Sequence, residues 1–506
     1  MSRQPFGESE EEHREPLPPE LHPLGEPAED VEEQTEAEQL ARKLSELEES
    51  ADPLDAQFSV ESVYAELRSR APEQEMQPRL EPMRRAMDYL GDPAHAAPVI
   101  HLTGTNGKTS TARMVERLLM AHDLRVGRYT SPHLQKVTER IAVDGEPVAD
   151  ETFVRIWDEI RPCLQMVDAS LNADGQVPLT EFEAMTVLAF AIFADEPVDV
   201  MVLEVGLGGA WDATNVADAQ VSVMTPIDLD HTGMLGETRE QIAAEKVGII
   251  KRGGFVVSAA QTPEIAQVIL DAAREQSADF RFEGVEFGVL QRVPGVGGQV
   301  ISVQGLAGRY ENLALPLFGA HQAQNASVAL AAVEALLGGG ERELEIELIR
   351  LAFEQLSSPG RLEVVRPHPP VVLDAGHNPH GIRAAAEAFR ESFDAQRLNL
   401  VVGILREKDA RGILEVLREQ YAEVEDFETV LSVTASGSPR AIPAEELAEM
   451  ALDAGFDEDR VRCCERADEA IAEAVSEAAV DAELSGAVLI TGSVTLVGEA
   501  RVLLGL

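Results

Sequence analysis

The sequence predicts an α/β protein with a phosphate-loop ATPase-type domain at its centre and a smaller, Rossmann-like α/β domain behind it. Three observations carry that expectation. The β-branched, apolar run Val99-Ile100-His101-Leu102-Thr103 ends in the turn Gly104-Thr105-Asn106-Gly107, then Lys108-Thr109-Ser110 and a helical pattern from Ala112 to Met120. Strand, glycine loop and helix in that order make a phosphate cradle: glycines let backbone N–H groups converge on an anion, and the helix N-terminus adds partial positive charge. Further apolar strand patterns then alternate with helical ones, as parallel sheets require. Finally, after Pro359-Gly360-Arg361 a second α/β pattern begins.

The loop departs from G-x-x-x-x-G-K-[ST] at one place, where Leu102 stands for the first glycine. Its working parts remain. Lys108 can reach outer phosphates, and the Thr109 hydroxyl can join the shell of a Mg²⁺ ion.

Composition narrows the function. The chain of 506 residues carries 42 Lys and Arg against 90 Asp and Glu, a formal net charge of -48. Nucleic-acid binding rests on Lys and Arg neutralising phosphates, so that class is excluded as an expectation. The acidity and scarcity of Lys fit a salty cytoplasm. Cys163, Cys463 and Cys464 have neither disulfide-framework nor zinc spacing. No signal peptide or membrane-length apolar run is evident, so a cytoplasmic enzyme with no membrane partner is expected. Residues 1–57 are acidic, Pro-containing and poor in aromatics, and read as a disordered tail. The remainder divides at Ser357, giving 58–357 and 358–506.

Along the chain, Val60, Val63, Tyr64 and Leu67 share one helical face, and Leu80, Met83, Met87 and Leu90 another. After the loop helix, Arg125 to Thr130 reads as a strand running into Ser131-Pro132-His133-Leu134, where α/β sheets place ligands. Thr180-Glu181-Phe182-Glu183 opens a helix. Val198 to Val205 is a buried-strand pattern closed by Glu204, a carboxylate that is costly there unless it meets a cation or a donor. The glycines after it mimic a dinucleotide fingerprint, but no helical pattern follows, which argues against a nicotinamide or flavin site. Val221 to Met224 leads into Asp228-Leu229-Asp230-His231, and a helix carrying Glu245-Lys246 comes next. Phe280 to Leu317 is β-rich. Past the boundary, strands at Val371–Leu373, Leu398–Leu405, Thr429–Thr434 and Val488–Thr491 end in polar and charged residues.

Taken together, Gly104-Thr105-Asn106-Gly107-Lys108-Thr109, Thr130-Ser131-Pro132-His133, Glu204-Val205-Gly206-Leu207-Gly208-Gly209, Asp212-Ala213-Thr214-Asn215, Asp230-His231-Thr232, Glu245-Lys246, His321-Gln322, Pro359-Gly360-Arg361 and His377-Asn378-Pro379 resemble folylpolyglutamate synthase/dihydrofolate synthase of the Mur ligase superfamily. The resemblance covers Phe58 to Leu506 and implies an ATP-dependent amide ligase. ATP phosphorylates a carboxylate of dihydropteroate or a reduced folate, and the amine of L-glutamate attacks the acyl phosphate. Two anions must meet, so the chemistry needs cations more than a covalent nucleophile.

The resemblance also implies roles. Gly104 to Ser110, with Asn325, Arg361 and Asp374, would hold ATP. Thr109, Ser131 and Glu204 would serve one Mg²⁺, and His231 and Lys246 a second. An ammonium cannot ligate Mg²⁺, so Lys246 is expected as a CO₂-derived carbamate. Lys108, Lys246, His231 and His377 would serve the chemistry, while Ser131, Pro132, His133, Thr180 and Phe182 would line the pterin pocket. The family members are usually monomers. Two local orders differ from the pattern: Ala210-Trp211 follows the glycines, and Asp374-Ala375-Gly376-His377 replaces Asp-Gly-Ala-His. The competing readings are a UDP-muramyl amino-acid ligase, for which 58–98 is short as a nucleotide-sugar domain, and a nucleotide-dependent switch.

Overall fold

The computed structural model describes residues 59–71, 78–424, 427–480 and 486–506. The acidic segment 1–57 lies outside them.

The central sheet has eight strands: β1 (Val99–Thr103), β2 (Val126–Tyr129), β3 (Ile141–Val143), β4 (Glu146–Pro147), β5 (Val200–Glu204), β6 (Val221–Met224), β7 (Phe255–Ser258) and β8 (Asp279–Phe282). Their order is β4-β3-β2-β5-β1-β6-β7-β8. From β2 to β8 every neighbouring pair is parallel, and β3 and β4 add an antiparallel edge. β1, β2, β5, β6 and β7 are buried along their whole length. A strand covered on both faces needs apolar residues at every position, which is why these stretches read as continuous runs rather than alternations.

One face of the sheet is covered by helices Lys108–Ala121 and Ala320–Gly338, with Ile346–Glu354 beside them. A three-stranded antiparallel sheet, β9 (Gly288–Gly295), β10 (Gly298–Gln304) and β11 (Arg309–Leu315), joins this core. Its turn is organised by Glu334, which accepts the Tyr310 hydroxyl at 2.6 Å and the Leu306, Ala307 and Gly308 amides. The other face packs against Val60–Arg68, Glu81–Leu90, Asp150–Ala173 and Glu181–Asp195.

The second sheet comprises β12 (Glu363–Pro367), β13 (Pro370–Leu373), β14 (Arg397–Val402), β15 (Glu428–Thr434), β16 (Val461–Cys464) and β17 (Gly486–Thr491), in the order β12-β13-β17-β14-β15-β16. β12 is antiparallel and the other strands are parallel. Apolar clusters cover both faces.

The α/β expectation holds, with differences in detail. The loop helix begins at Lys108 rather than Ala112, because the glycine turn feeds it directly. The 24-residue helix Asp150–Ala173 and the helix Pro263–Glu275 have no counterpart in the sequence reading, and neither has edge strand β16. β16 is four residues long, which leaves little pattern to detect.

The parallel strands of each sheet carry their chemistry at their carboxyl ends, and the two sets of ends open on one cleft of about 2070 Å³. No described helix is long and apolar enough to cross a membrane.

A net charge of -48 over the 506 residues sets like charges against one another along the chain. Raising KCl toward about 1 M, where the screening length falls to roughly 3 Å, is expected to raise Tm. A Tm that falls or stays flat in circular-dichroism melts would contradict this.

Candidate active site

The loop geometry explains its glycines. Gly104 has φ of 145°, and a Cβ there would lie 1.9 Å from Thr225 Oγ1. Gly107, with φ of 89°, opens the helix, and its Cβ would lie 2.6 Å from Asn325 Oδ1. Only a residue without a side chain suits both positions. Lys108 folds back over the loop and donates to the carbonyls of Gly104 and Thr105 at 3.1 and 3.3 Å.

Glu204, at the tip of β5, is 2% exposed. The Thr109 hydroxyl lies 3.0 Å from both of its oxygens, and the Ser131 backbone also bonds to it. Burial pushes the carboxyl above its ordinary range, against the pull of Lys108, Thr109 and Arg361. Among the described residues it has no ion-pair partner. A buried carboxylate bonded by one hydroxyl and one backbone amide, with no ion-pair partner among the described residues, has the hard-oxygen chemistry that suits Mg²⁺, which also draws ligands from water and phosphate.

The second expected metal pair is arranged differently. Lys246 is buried and donates to the Gly104 carbonyl at 2.9 Å. Burial, then Lys108, pushes its ammonium down to about 7. His231 stands at φ of 50°, and its Nε2 accepts from Lys408 at 3.2 Å. Thus each has a protein partner of its own, and among the described residues no group of three or more His, Cys, Asp or Glu is poised to hold a metal.

Lys408 and Asn378 come from the second α/β region and meet Asp230 of the first. Asp230 accepts from Lys408 at 3.0 Å and from the Asn378 amide at 3.3 Å. Burial works to raise Asp230, but Lys408, His231 and His377 outweigh it and hold the carboxyl below its usual range. Asn106, inside the phosphate loop, exchanges amide hydrogen bonds with Asn378 at 3.2 and 3.0 Å. Asn378 also caps the helix Pro379–Ser392 through the Gly381 amide. His377 donates to the Ala375 carbonyl at 3.0 Å, and burial, then Lys408, pushes it down to about 3. Asp374 accepts the Leu362 and Gly376 amides at 3.0 and 2.9 Å, so its carboxylate also braces the turn carrying Arg361. Arg361 donates to the Gly360 carbonyl and Asn325 to Gln322.

Ser131, Pro132 and His133 line the same cleft, and the Ser131–Pro132 peptide is cis. His133 accepts from Arg140 at 3.0 Å and meets the Tyr64 ring edge-on at 5.5 Å. Desolvation, then Arg140, pushes the imidazole down to about 4.

The cleft therefore gathers Gly104 to Ser110, Ser131 to His133, Glu204, His231, Lys246, Asn325, Arg361, Asp374 and His377. Thr180 and Phe182 are not brought there, which corrects their assignment to the pterin pocket. Thr180 is a buried helix cap, its hydroxyl accepting the Glu183 amide at 3.2 Å. Phe182 is 1% exposed, packs on Tyr129 at 6.0 Å, and fills the space a side chain at Gly206 would need. It supports the cleft floor from behind.

Sequence reasoning missed Tyr64, Arg68 and the role of Lys408, all of which face the cleft. Tyr64 and Arg68 look like ordinary members of an amphipathic helix. Lys408 had a usable signal, being a lysine just past a buried strand.

The Mur ligase middle domain family matches residues 102–333, and the Mur ligase glutamate ligase domain family matches 360–494. The dihydrofolate synthase/folylpolyglutamate synthase of Mycobacterium tuberculosis is 44% identical over 458 residues, spanning 87% of this chain and 92% of the relative. The chain belongs to the dihydrofolate synthase/folylpolyglutamate synthase family. The Bacillus subtilis member of this family is 35% identical, covering 68% of this chain and 79% of its own. Among solved structures, M. tuberculosis folylpolyglutamate synthase complexed with ADP and AMPPCP aligns with TM-score 0.82 at 42% identity, over 88% of this chain and 98% of that one. The E. coli FolC structure in complex with DHPP and ADP aligns with TM-score 0.72 at 31% identity, covering 88% and 97%. Members of this family are ATP-dependent folate–glutamate ligases, which suits a cleft that pairs a phosphate loop with a second set of strand tips.

Replacing Phe182 by Ala should cost about 3–5 kcal/mol of stability, the usual range for an aromatic deleted from a core. Urea denaturation measures this. The molecules that remain folded should keep their KM for the acid substrate, whereas a large rise in that KM would restore Phe182 as a substrate contact.

Proposed function

We propose that the protein adds L-glutamate to dihydropteroate, to the γ-carboxylate of reduced folates, or to both, with cleavage of ATP to ADP and phosphate. The observation that carries this reading is the meeting, in one cleft, of the phosphate loop, the buried Glu204 and the Arg361–Asp374–His377 strand tips, in a chain 44% identical to a dihydrofolate synthase/folylpolyglutamate synthase.

In this reading the chain acts by placing charge. The loop amides and Lys108 hold the triphosphate, with Asn325, Arg361 and Asp374 on its nucleotide side. The substrate carboxylate attacks the terminal phosphorus, and ADP leaves. The glutamate amine then attacks the acyl carbon, and phosphate leaves as the amide forms. Ser131, Pro132 and His133 border the acid, and His377 stands beside the reacting groups. Thr109, Ser131 and Glu204 would hold a Mg²⁺ ion, which supplies charge neutralisation between the two anions.

His231 and Lys246 would serve a second ion once Lys246 is carbamylated. The amine attacks CO₂, a proton is released, and the side chain becomes an anion with oxygen donors. Burial that weakens the proton's hold on Lys246 favours that reaction. We further assign 58–357 and 358–506 as the two domains, a division supported by family matches that end at 333 and resume at 360. A cytoplasmic monomer that engages neither nucleic acid nor membrane completes this reading, and the acidity of the chain supports the part that concerns nucleic acid.

Two measurements test this. Phosphate release should require L-glutamate together with dihydropteroate or a reduced folate, with the product lengthened by glutamate. Release driven by UDP-muramyl substrates, or by nucleotide alone, would favour the muramyl-ligase or switch readings. With isotope-labelled bicarbonate, a carbamate carbon resonance should appear in the native protein and vanish in Lys246→Arg. Its absence from the native protein would remove the modified lysine.

A further inference from the structure

The segment 131–136 between β2 and β3 is held at both ends by carboxylates. At its start the Ser131 backbone bonds to Glu204. At its end Glu139 accepts three consecutive amides, Leu134 at 2.9 Å, Gln135 at 3.1 Å and Lys136 at 2.8 Å. Between these anchors His133 projects into the cleft, and Arg140, the residue after Glu139, donates its Nε–H to His133 Nδ1 at 3.0 Å.

That bond has only one possible direction. A guanidinium carries donors and no acceptor, so Nδ1 must present its lone pair. The imidazole is then neutral, its proton resides on Nε2, and among the described residues Nε2 has no hydrogen-bond partner. The Arg140 carbonyl accepts the Thr130 amide at 2.9 Å and the side chain is buried, so the guanidinium has little freedom to turn away. Tyr64 packs edge-on against the ring, with the Arg68 guanidinium 5.9 Å from the Tyr64 centroid.

We propose that Glu139 and Arg140 are positioning residues that set His133 as a fixed Nε2–H donor to an oxygen of the acid substrate. This deepens the function proposed above and rests on it for the identity of the substrate. Arg140 sets which nitrogen bears the proton. Glu139 sets where the ring stands, by pinning the backbone immediately after it. The device selects for an acceptor atom: a hydrogen-bond donor at the same place on a ligand would face another donor.

The full-length protein, grown with isotope-labelled histidine, allows a direct test by long-range proton–nitrogen correlation near neutral pH. One histidine, assigned by its loss in His133→Phe, should have a bare Nδ1 and a protonated Nε2. In Arg140→Met that single-tautomer pattern should give way to a mixture. His133→Phe should raise KM for the acid by about tenfold, the scale of one lost hydrogen bond, with KM for ATP unchanged. Glu139→Gln keeps the shape but weakens the three amide bonds, and should raise the same KM by a smaller factor while the tautomer persists.

A protonated Nδ1 in the native protein would overturn the proposal. So would an active His133→Phe enzyme with native KM for the acid. If the native protein ligates glutamate to neither acid, the functional reading fails, and the substrate half of this proposal fails with it. The histidine spectrum still decides, on its own, whether Arg140 sets the tautomer.

Discussion

A carboxylate placed at the tip of a fully buried strand governs this molecule. Glu204 has lost its water, and the Thr109 hydroxyl, the Ser131 backbone and the field of Lys108 and Arg361 offset only part of the cost. Burial without full compensation is tolerated where a cation is expected to arrive. Its neighbours follow from it. Thr109 ties it to the phosphate loop, Ser131 to the loop after β2, and the parallel register of β1 with β5 sets Leu102 beside Glu204. One group thereby ties together the phosphate loop and the loop after β2.

The second organising feature is the polar contact between the two α/β regions. Asp230 receives Lys408 and Asn378, while Asn106 and Asn378 bond reciprocally. Asn106 belongs to the phosphate loop and Asn378 caps a helix of the other region, so these amides link nucleotide binding to the placement of the second sheet. Such contacts are small and polar, unlike the apolar cores on either side, and they suit a cleft that must admit substrates. Family membership gives this arrangement its chemical meaning, since an ATP-dependent folate–glutamate ligase must gather nucleotide, acid and amine in one cleft.

Much of the architecture was readable in the chain because buried parallel strands leave an uninterrupted apolar signature. The phosphate loop was readable because its glycines answer a local backbone demand. Glu204 stood out as a charge closing an apolar run, and it lies where that oddity suggested. Phe182 and Thr180 misled. The resemblance implied a place in the pocket wall, but the helix turns its first residues into the core, and which way a helix faces depends on what packs against it. The helix Asp150–Ala173 was overlooked, its apolar stripe of Phe153, Ile156, Trp157, Ile160, Leu164 and Val167 being interrupted by charge and by Pro162.

Local sequence therefore settled the kinds of elements, the phosphate loop and the family, since these depend on backbone preferences and on residue types at short spacing. The partners of Lys408 and Tyr64 could not be inferred that way. Lys408 meets Asp230 across 178 positions of chain, and Asn378 meets Asn106 across 272. Contacts at such separations exist only once both sheets have folded and their strand ends face each other, because no local rule specifies the distance between two residues that far apart.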